Sequence, residues 1–345
     1  MKKKVFNIIL LIKLLIYKSS LIFFQLIFKI SFKSGSLLKS YSKKLIRNNF
    51  INYFEKELEK SNIFFNRSQK SSKNIKKNIK DSLKVKIDDL IIVGHHSTWK
   101  NFNLSSILIT TKSDLPRFNS TIKYLKNLNI NPLIHNGVKS EDLRNVLLSE
   151  SIISESKASQ IACTVSHIFA IEQILNESKD NLFLILEDDV RLFPDPNLIG
   201  LENVIKNKDW DIVSFEHNMP YTFKRLHNAF NHGQILQRWD NPKDYGASAY
   251  LIKREFAEKL VNYFIKLTSD GKKFDLRKTY LYHREIVPDQ LIFDMANTLI
   301  CTFPLSFQNT DYHSEIGYAD YQELLKENTV KMVIKQWNRY YKFLT

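Results

Sequence analysis

Glu187, Asp188 and Asp189 follow directly on the apolar run Leu182-Phe183-Leu184-Ile185-Leu186. Three adjacent carboxylates repel one another unless a cation or solvent screens them. Hard divalent cations favour such oxygen clusters, and Mn²⁺ or Mg²⁺ can bridge them to phosphates. Two readings are open: a metal–diphosphate site, or a solvated acidic turn after a core strand. For a metal, Asp189 is the first expected ligand and Glu187 the second. Asp188 alternates to the other face if the strand persists, which leaves it for ribose or sugar hydroxyls, or for capping its own turn. A departing diphosphate gains charge that a bound cation stabilises as a Lewis acid. An attacking hydroxyl needs a general base. Asp289, just after Pro288, fits that role and fits equally as the cap of a helix running to Asn297.

The elements around these residues alternate. A short, wholly apolar run such as 182–186 reads as a strand buried on both faces, and its carboxyl end is where open α/β sheets place ligands. Ile87 to Val93, Ser106 to Thr110, Pro132 to His135, Trp210 to Phe215, Ala247 to Ile252 and Leu299 to Phe303 read as further strands. Pro116 to Leu128, capped by Asp114, reads as a helix, as do Ser140 to Leu148, Gln160 to Leu175, Glu255 to Leu267 and Pro288 to Asn297. Strands alternating with helices give an α/β domain with a mostly parallel central sheet. There is no GxGxxG or Walker A loop, so dinucleotide and P-loop readings lose their usual marker.

Several smaller patterns lie around the triplet. Ser166 and His167 fall in the first βα half, where a nucleotide would bind, and His167 is a candidate donor to phosphate or base as well as a core histidine. Cys163 stands one helical turn before His167, but no oxyanion loop or third partner supports a thiol nucleophile. Arg117 is a candidate phosphate ligand. Gly246 permits close backbone approach to a ligand or simply turns into a strand. His313 beside Asp311 offers a possible addition to a metal shell. His95-His96 does not, since adjacent strand side chains diverge.

In order and spacing, these patterns resemble glycosyltransferase family 25, the group of lipopolysaccharide-type and collagen-type galactosyltransferases. The resemblance is carried by Ile107-Leu108-Ile109 with Arg117, and by Ala162-Cys163-Thr164-Val165-Ser166-His167. It continues through Leu184 to Val190, Gly246 to Ile252 with Ala257 to Leu260, Val287-Pro288-Asp289, Pro304-Leu305 with Gln308, and Ser314 to Ile316. It spans about residues 105–318. Ala162 stands where the family usually has glycine. The resemblance implies a GT-A-like nucleotide-sugar fold. It also implies a sugar-nucleotide donor and an inverting transfer, and does not fix the sugar; together with the acidic triplet, the expectation is metal-assisted transfer from a UDP-sugar, galactose by family weight, to a hydroxyl of a glycan or glycoconjugate.

The net charge of +15 sits wholly in residues 1–90, which hold 21 Lys and Arg against 6 Asp and Glu, while the remainder is balanced. The basic stretch therefore describes an extension attracted to an anionic surface. Residues 1–32 are an apolar, lysine-interrupted segment that lacks an unbroken span of about 20 apolar residues and a cleavage site. The flank through Arg47 is basic. The expectation is a membrane-associating segment at 1–32 and a basic linker, helical or irregular, at 33–86. A catalytic domain at 87–345 would lie on the cytoplasmic side. Residues 1–47 then face anionic lipid. Only two cysteines are present, which suits a reducing compartment. Two rivals remain at this point. A nucleotidyltransferase would show a glycine-rich basic loop near the first strand. A basic nucleic-acid-binding protein would show aromatics interleaved with its lysines; here they sit in the apolar run, and no nucleic-acid partner is expected.

Overall fold

The computed structural model describes residues 97–342 except 103, 113, 149–154, 207, 241–243, 283–285 and 310–319. The N-terminal segment and linker, the strand expected at 87–93, His95-His96, Asp311 with His313, and Ser314 to Ile316 lie outside the described residues. The chain divides between Lys84 and Val85, and everything below belongs to the second unit. Among the described residues no helix is long and apolar enough to cross a membrane.

The architecture is mixed α/β. Its strands are β1 (Ser105–Thr110), β2 (Leu133–Asn136), β3 (Leu182–Glu187), β4 (Val190–Leu192), β5 (Ile212–Ser214), β6 (Leu236–Arg238), β7 (Ala249–Lys253), β8 (Ile265–Thr268), β9 (Gly271–Phe274), β10 (Thr298–Cys301) and β11 (Ser306–Gln308). The helices are α1 (Leu115–Asn127), α2 (Leu143–Val146), α3 (Glu155–Glu177), α4 (Leu201–Lys206), α5 (Pro220–Asn231), α6 (Arg254–Phe264), α7 (Pro288–Leu291) and α8 (Asp320–Lys342). Seven strands form the central sheet in the order β2-β1-β3-β7-β5-β10-β6. β1 pairs in parallel with β2 and β3, and β5 in parallel with β10. β7 runs antiparallel to both β3 and β5, and β6 is an antiparallel edge. Five strands thus share one direction, which is the mostly parallel sheet expected from the sequence.

The reversed strand has a consequence for the chemistry. β7 begins at the end of the sheet where β3 and β5 finish. The loop before it, Asp244 to Ser248, is therefore delivered beside Glu187 and Glu216. The register places Leu186 opposite Ala249 and Ser214 opposite Tyr250. Sequence reading finds this strand but not its direction, because burial on both faces erases the alternation that would distinguish one environment from another.

One face of the sheet is covered by α3. Its Ile161, Val165, Ile168, Ile171 and Ile174 are buried with Ile107, Phe183, Ile185 and the α6 residues Phe256, Ala257 and Leu260. Each of the Val, Leu, Ile and Phe side chains contributes about 1.5–3 kcal/mol when fully buried. A separate aromatic group joins Phe193, Phe303, Phe307 and Trp337, with Phe193 and Trp337 ring centroids 5.2 Å apart and Phe307 and Trp337 5.0 Å apart. Trp337 Nε1 donates to Pro304 O at 2.7 Å, which fixes α8 against the strand-end loops.

Three helices are shorter than the sequence suggests. The one expected from Ser140 to Leu148 splits into a 3₁₀ turn at Ser140–Asp142 and the single α-helical turn of α2. α6 stops at Phe264, where Ile265 turns extended and enters the β8–β9 hairpin. Gly271, at φ +103, opens the return strand; that conformation is open to glycine and strained for other residues. The helix expected to run from Pro288 to Asn297 is the single turn Pro288–Leu291. Thr298 then donates its hydroxyl to Phe293 O at 2.7 Å, folding the chain back into β10.

Candidate active site

The acidic triplet does not continue β3. Glu187 ends the strand, while Asp188 and Asp189 form the turn into β4. The three carboxylates therefore part company. β4 pairs with β11 so that Gln308 lies opposite Val190, and this brings Gln308 to Glu187. The Glu187 side chain is gripped on both oxygens: His167 Nε2 lies 3.0 Å from Oε1, and Gln308 Nε2 donates to Oε2 at 3.1 Å. His167 comes from α3, one turn after Cys163, and its Nδ1 lies 3.1 Å from the Tyr250 hydroxyl on β7.

Asp188 turns beneath α1. Asp114 caps that helix, accepting from Arg117 N at 2.9 Å, and Pro116 sits in its first turn, as the sequence predicts. The cap aims Arg117 at the acidic turn, where Arg117 Nη2 meets Asp188 Oδ1 at 2.7 Å. Asp188 Oδ2 accepts from Thr110 Oγ1 at 2.6 Å, and Thr121 Oγ1 donates to Asp188 O at 2.7 Å. Both carboxylate oxygens of Asp188 are thus engaged by protein, and Arg117 is held by a carboxylate. As placed, the pair fixes the turn.

Asp189 is different. Its Oδ1 is buried and has no hydrogen-bond partner among the described residues, while its main-chain carbonyl accepts from Asn309 N at 2.7 Å. A buried carboxylate oxygen left without a donor carries a large desolvation penalty. Burial raises this carboxyl to about 7, against the pull of Lys326 and with the push of Glu187 and Asp188. Burial also drives Glu187 upward, but His167, Lys326 and Gln308 outweigh it and leave that carboxyl below its ordinary value. Asp188 ends above its ordinary value through burial, which Arg117 and Thr110 only partly offset. The donor chemistry of Glu187 and Asp189, with one orphaned oxygen between a paired acid and a low-pKa acid, fits a hard divalent cation.

A cleft of about 310 Å³ opens beside these acids. Its walls are the carboxyl end of β1 (Ile109 to Thr111), the loop after β2 (Gly137 to Glu141), the α3 residues Ser159, Ala162, Cys163, Ser166 and His167, and Gln308. Asn136 is the last residue of β2, and Gly137 N donates to Thr110 O at 2.8 Å, extending the β1–β2 ladder into the loop. Ser166 Oγ accepts from Val138 N at 2.8 Å and donates to Ala162 O at 2.7 Å, so it ties α3 to that loop. The cleft therefore gathers Arg117, Ser166, His167, Glu187, Asp188 and Asp189, six of the eight residues singled out by sequence.

Asp289 and Gly246 are not on its lining; they meet each other. Gly246 N donates to Asp289 Oδ2 at 2.8 Å, while Val287 holds the capping position of α7. Asp289 reaches across to the β7 entry loop. Burial raises its carboxyl to about 6, the Gly246 N–H pulls it down, Glu187 pushes it up and His167 draws it down. Gly246 adopts φ +136, and a Cβ there would lie 2.8 Å from Glu216 Cβ, so only glycine fits between the two acids.

Glu216 is the residue sequence reading missed. It lies two residues past β5, as Glu187 closes β3, an acid at the end of an apolar run, and that parallel was the available signal. Its Oε2 accepts from Ser248 N at 3.1 Å, and its buried Oε1 has no hydrogen-bond partner among the described residues. Lys326 on α8 is the other omission; it acts electrostatically on Glu187, Asp189 and Glu216, and nothing marks it in a lysine-rich chain.

Burial raises Glu216 to about 8, against an ordinary value of 4.5. Between those values the folded state holds the proton more tightly than the unfolded one. The stabilisation is complete below about pH 4.5 and is lost as pH rises through about 8. Glu216→Gln keeps the shape without the ionisation. In chelator, thermal unfolding of the variant is expected to show a flatter pH profile from pH 5.5 to 8.5. It should gain on the native protein by a few kcal/mol, with a ceiling of about 5. Parallel profiles would show that Glu216 does not titrate in the fold.

Residues 104–275 match the family model Glycosyltransferase family 25 (LPS biosynthesis protein). The Val287 to Asp289 and Pro304 to Gln308 segments lie past that match. A search of curated proteins returned no match. Among solved structures, A197 from STIV is 16% identical with a TM-score of 0.30, covering 62% of this chain and 98% of that one. A glycosyltransferase involved in glycosylation of the major capsid of PBCV-1 is 12% identical with a TM-score of 0.26, covering 46% and 62%. Apo mouse xyloside xylosyltransferase 1 is 11% identical with a TM-score of 0.26, covering 56% and 80%. Likenesses this remote leave the argument to the residues.

Proposed function

We propose, for a chain that carries a glycosyltransferase family 25 domain at residues 104–275, that the cleft binds a UDP-sugar and passes its sugar to a glycan hydroxyl. Glycosyl transfer itself follows from the family; the UDP donor, galactose as the sugar, inversion and the metal are our reading. The observation that carries it is the orphaned Oδ1 of Asp189 beside Glu187, at the strand end that borders the cleft.

Glu187 and Asp189 would hold Mn²⁺ or Mg²⁺, which when bound supplies positive charge to the departing diphosphate. His167 and Gln308 orient Glu187. The Arg117–Asp188 pair, clamped by Thr110 and Thr121, fixes the turn on which Asp189 sits, and such support keeps reacting groups in register. Lys326 adds cationic charge to the same acids. Asp289, which lies off the cleft lining and is held by the Gly246 N–H, would take the proton from an acceptor hydroxyl brought within its reach as that oxygen attacks the sugar. A carboxyl raised to about 6 is ionised at neutral pH yet basic enough for the task. Attack from the side opposite the leaving group gives inversion.

The test is donor hydrolysis by the full chain against UDP-, GDP- and CMP-sugars, with Mn²⁺, with Mg²⁺ and with EDTA. The expected result is UDP release from a single UDP-sugar, UDP-galactose first, abolished by EDTA. Turnover confined to GDP- or CMP-sugars would overturn the donor assignment, and full activity in EDTA would overturn the metal.

A further inference from the structure

Cys163, His167 and Glu187 place a sulfur, an imidazole nitrogen and a carboxylate oxygen within 4.8 Å of one another. Among the described residues they are the one such group of potential metal ligands. Two come from successive turns of α3 and the third from the end of β3, so the triad spans two packed elements of the core. All three line the cleft. We propose that this triad is a site for a borderline-soft divalent cation of the Zn²⁺ class, separate in chemistry from the hard-cation pair formed by Glu187 and Asp189.

The donor set makes the distinction. Thiolate and imidazole ligands select Zn²⁺ and its relatives, whereas Mg²⁺ and Mn²⁺ prefer oxygen. Three protein ligands with a fourth position open to the cleft are the pattern of a reactive or regulatory zinc site; structural sites are closed by four. The distances suit it. Tetrahedral bonds of about 2.0–2.3 Å put ligand atoms roughly 3.3–3.6 Å apart. The His167–Glu187 separation is 3.0 Å, and the Cys163 sulfur lies within 4.8 Å of both atoms, a gap that a bound cation would have to draw in.

The surroundings also match. A zinc-bound histidine needs a partner on its other ring nitrogen to fix its orientation. His167 Nδ1 has one, the Tyr250 hydroxyl at 3.1 Å, and the two rings stack at 5.8 Å. On binding, the imidazole proton sits on Nδ1 facing Tyr250, Nε2 takes the metal, and the Cys163 thiol releases its proton to solvent. Glu187 belongs to both cation sites, so a zinc-class ion on the triad removes it from the hard-cation pair.

Co²⁺ reports thiolate ligation directly. The full chain, stripped of metal, is titrated with Co²⁺ and then back-titrated with Zn²⁺. The expected spectrum has a near-ultraviolet thiolate-to-cobalt band with intense tetrahedral visible bands, both displaced by Zn²⁺. Cys163→Ser should lose the thiolate band and weaken Zn²⁺ by about 100-fold or more, while Cys301→Ala, at the other, fully buried cysteine, keeps both. Asp189→Ala should also retain the band, so the failure of the hard-cation reading is distinguishable from the failure of this one. In unmutated protein, Zn²⁺ should slow alkylation of Cys163. A weak octahedral Co²⁺ spectrum without a thiolate band, or alkylation indifferent to Zn²⁺, would overturn the proposal.

Discussion

Asp189→Ala is expected to remove metal-dependent transfer, lowering kcat/KM by about 10³-fold or more while leaving the fold intact. The size follows from the role. A cation opposite a diphosphate leaving group is worth several kcal/mol of charge stabilisation, and each 1.36 kcal/mol is about tenfold in rate. The fold is expected to survive because Asp189 contributes little to it through its side chain. Its Oδ1 is buried without a donor among the described residues, and the turn is held by the Asp189 carbonyl, through Asn309, and by Asp188. Alanine keeps those main-chain bonds. Removing a carboxyl that burial raises to about 7 also relieves an electrostatic cost in the metal-free protein, so thermal stability in chelator should not fall. Transfer rate against Mn²⁺ concentration, alongside thermal unfolding, is the measurement. Normal Mn²⁺-dependent turnover in the variant would remove Asp189 from the site.

The acid triplet was legible because five apolar residues running into three carboxylates admit few structures. What each acid does was not. Their fates depend on where β3 stops, and it stops at Glu187, which sends Asp188 under α1 to Arg117 and leaves Asp189 by itself. No local pattern encodes that turn. The helix cap at Asp114 was readable because it is a local hydrogen-bonding device. Gly246 and Asp289 were each found, and their contact was not, since it is created by a strand inserted in reverse between β3 and β5. The same reversal hides Glu216, whose neighbour Ser248 belongs to that strand's entry loop. Pro288 marked a helix start correctly, but the stop after Leu291 depends on Thr298 bonding back to Phe293, a contact made only in the folded chain.

Asp289→Asn is the companion experiment, aimed at proton removal, and it separates a base from a support. The Asp289 oxygen that accepts from Gly246 N–H has a counterpart in the asparagine carbonyl, so the β7 entry loop should keep its place. What asparagine cannot do is accept a proton. Loss of a positioned general base costs about 10²–10⁴-fold, and that loss is expected in kcat, with donor KM and thermal stability close to native. The pH profile adds a second reading. With its carboxyl raised to about 6 by burial, Asp289 is protonated and idle below that value, so native kcat should climb with pH to about 6 and level off above it. The variant's residual activity should lack this acid limb. If kcat, donor affinity and unfolding temperature fall together, Asp289 works as a brace for Gly246, and the base must be sought among the residues that do line the cleft. A lowered kcat with the acid limb erased, on an unchanged fold, would fix Asp289 as the proton acceptor.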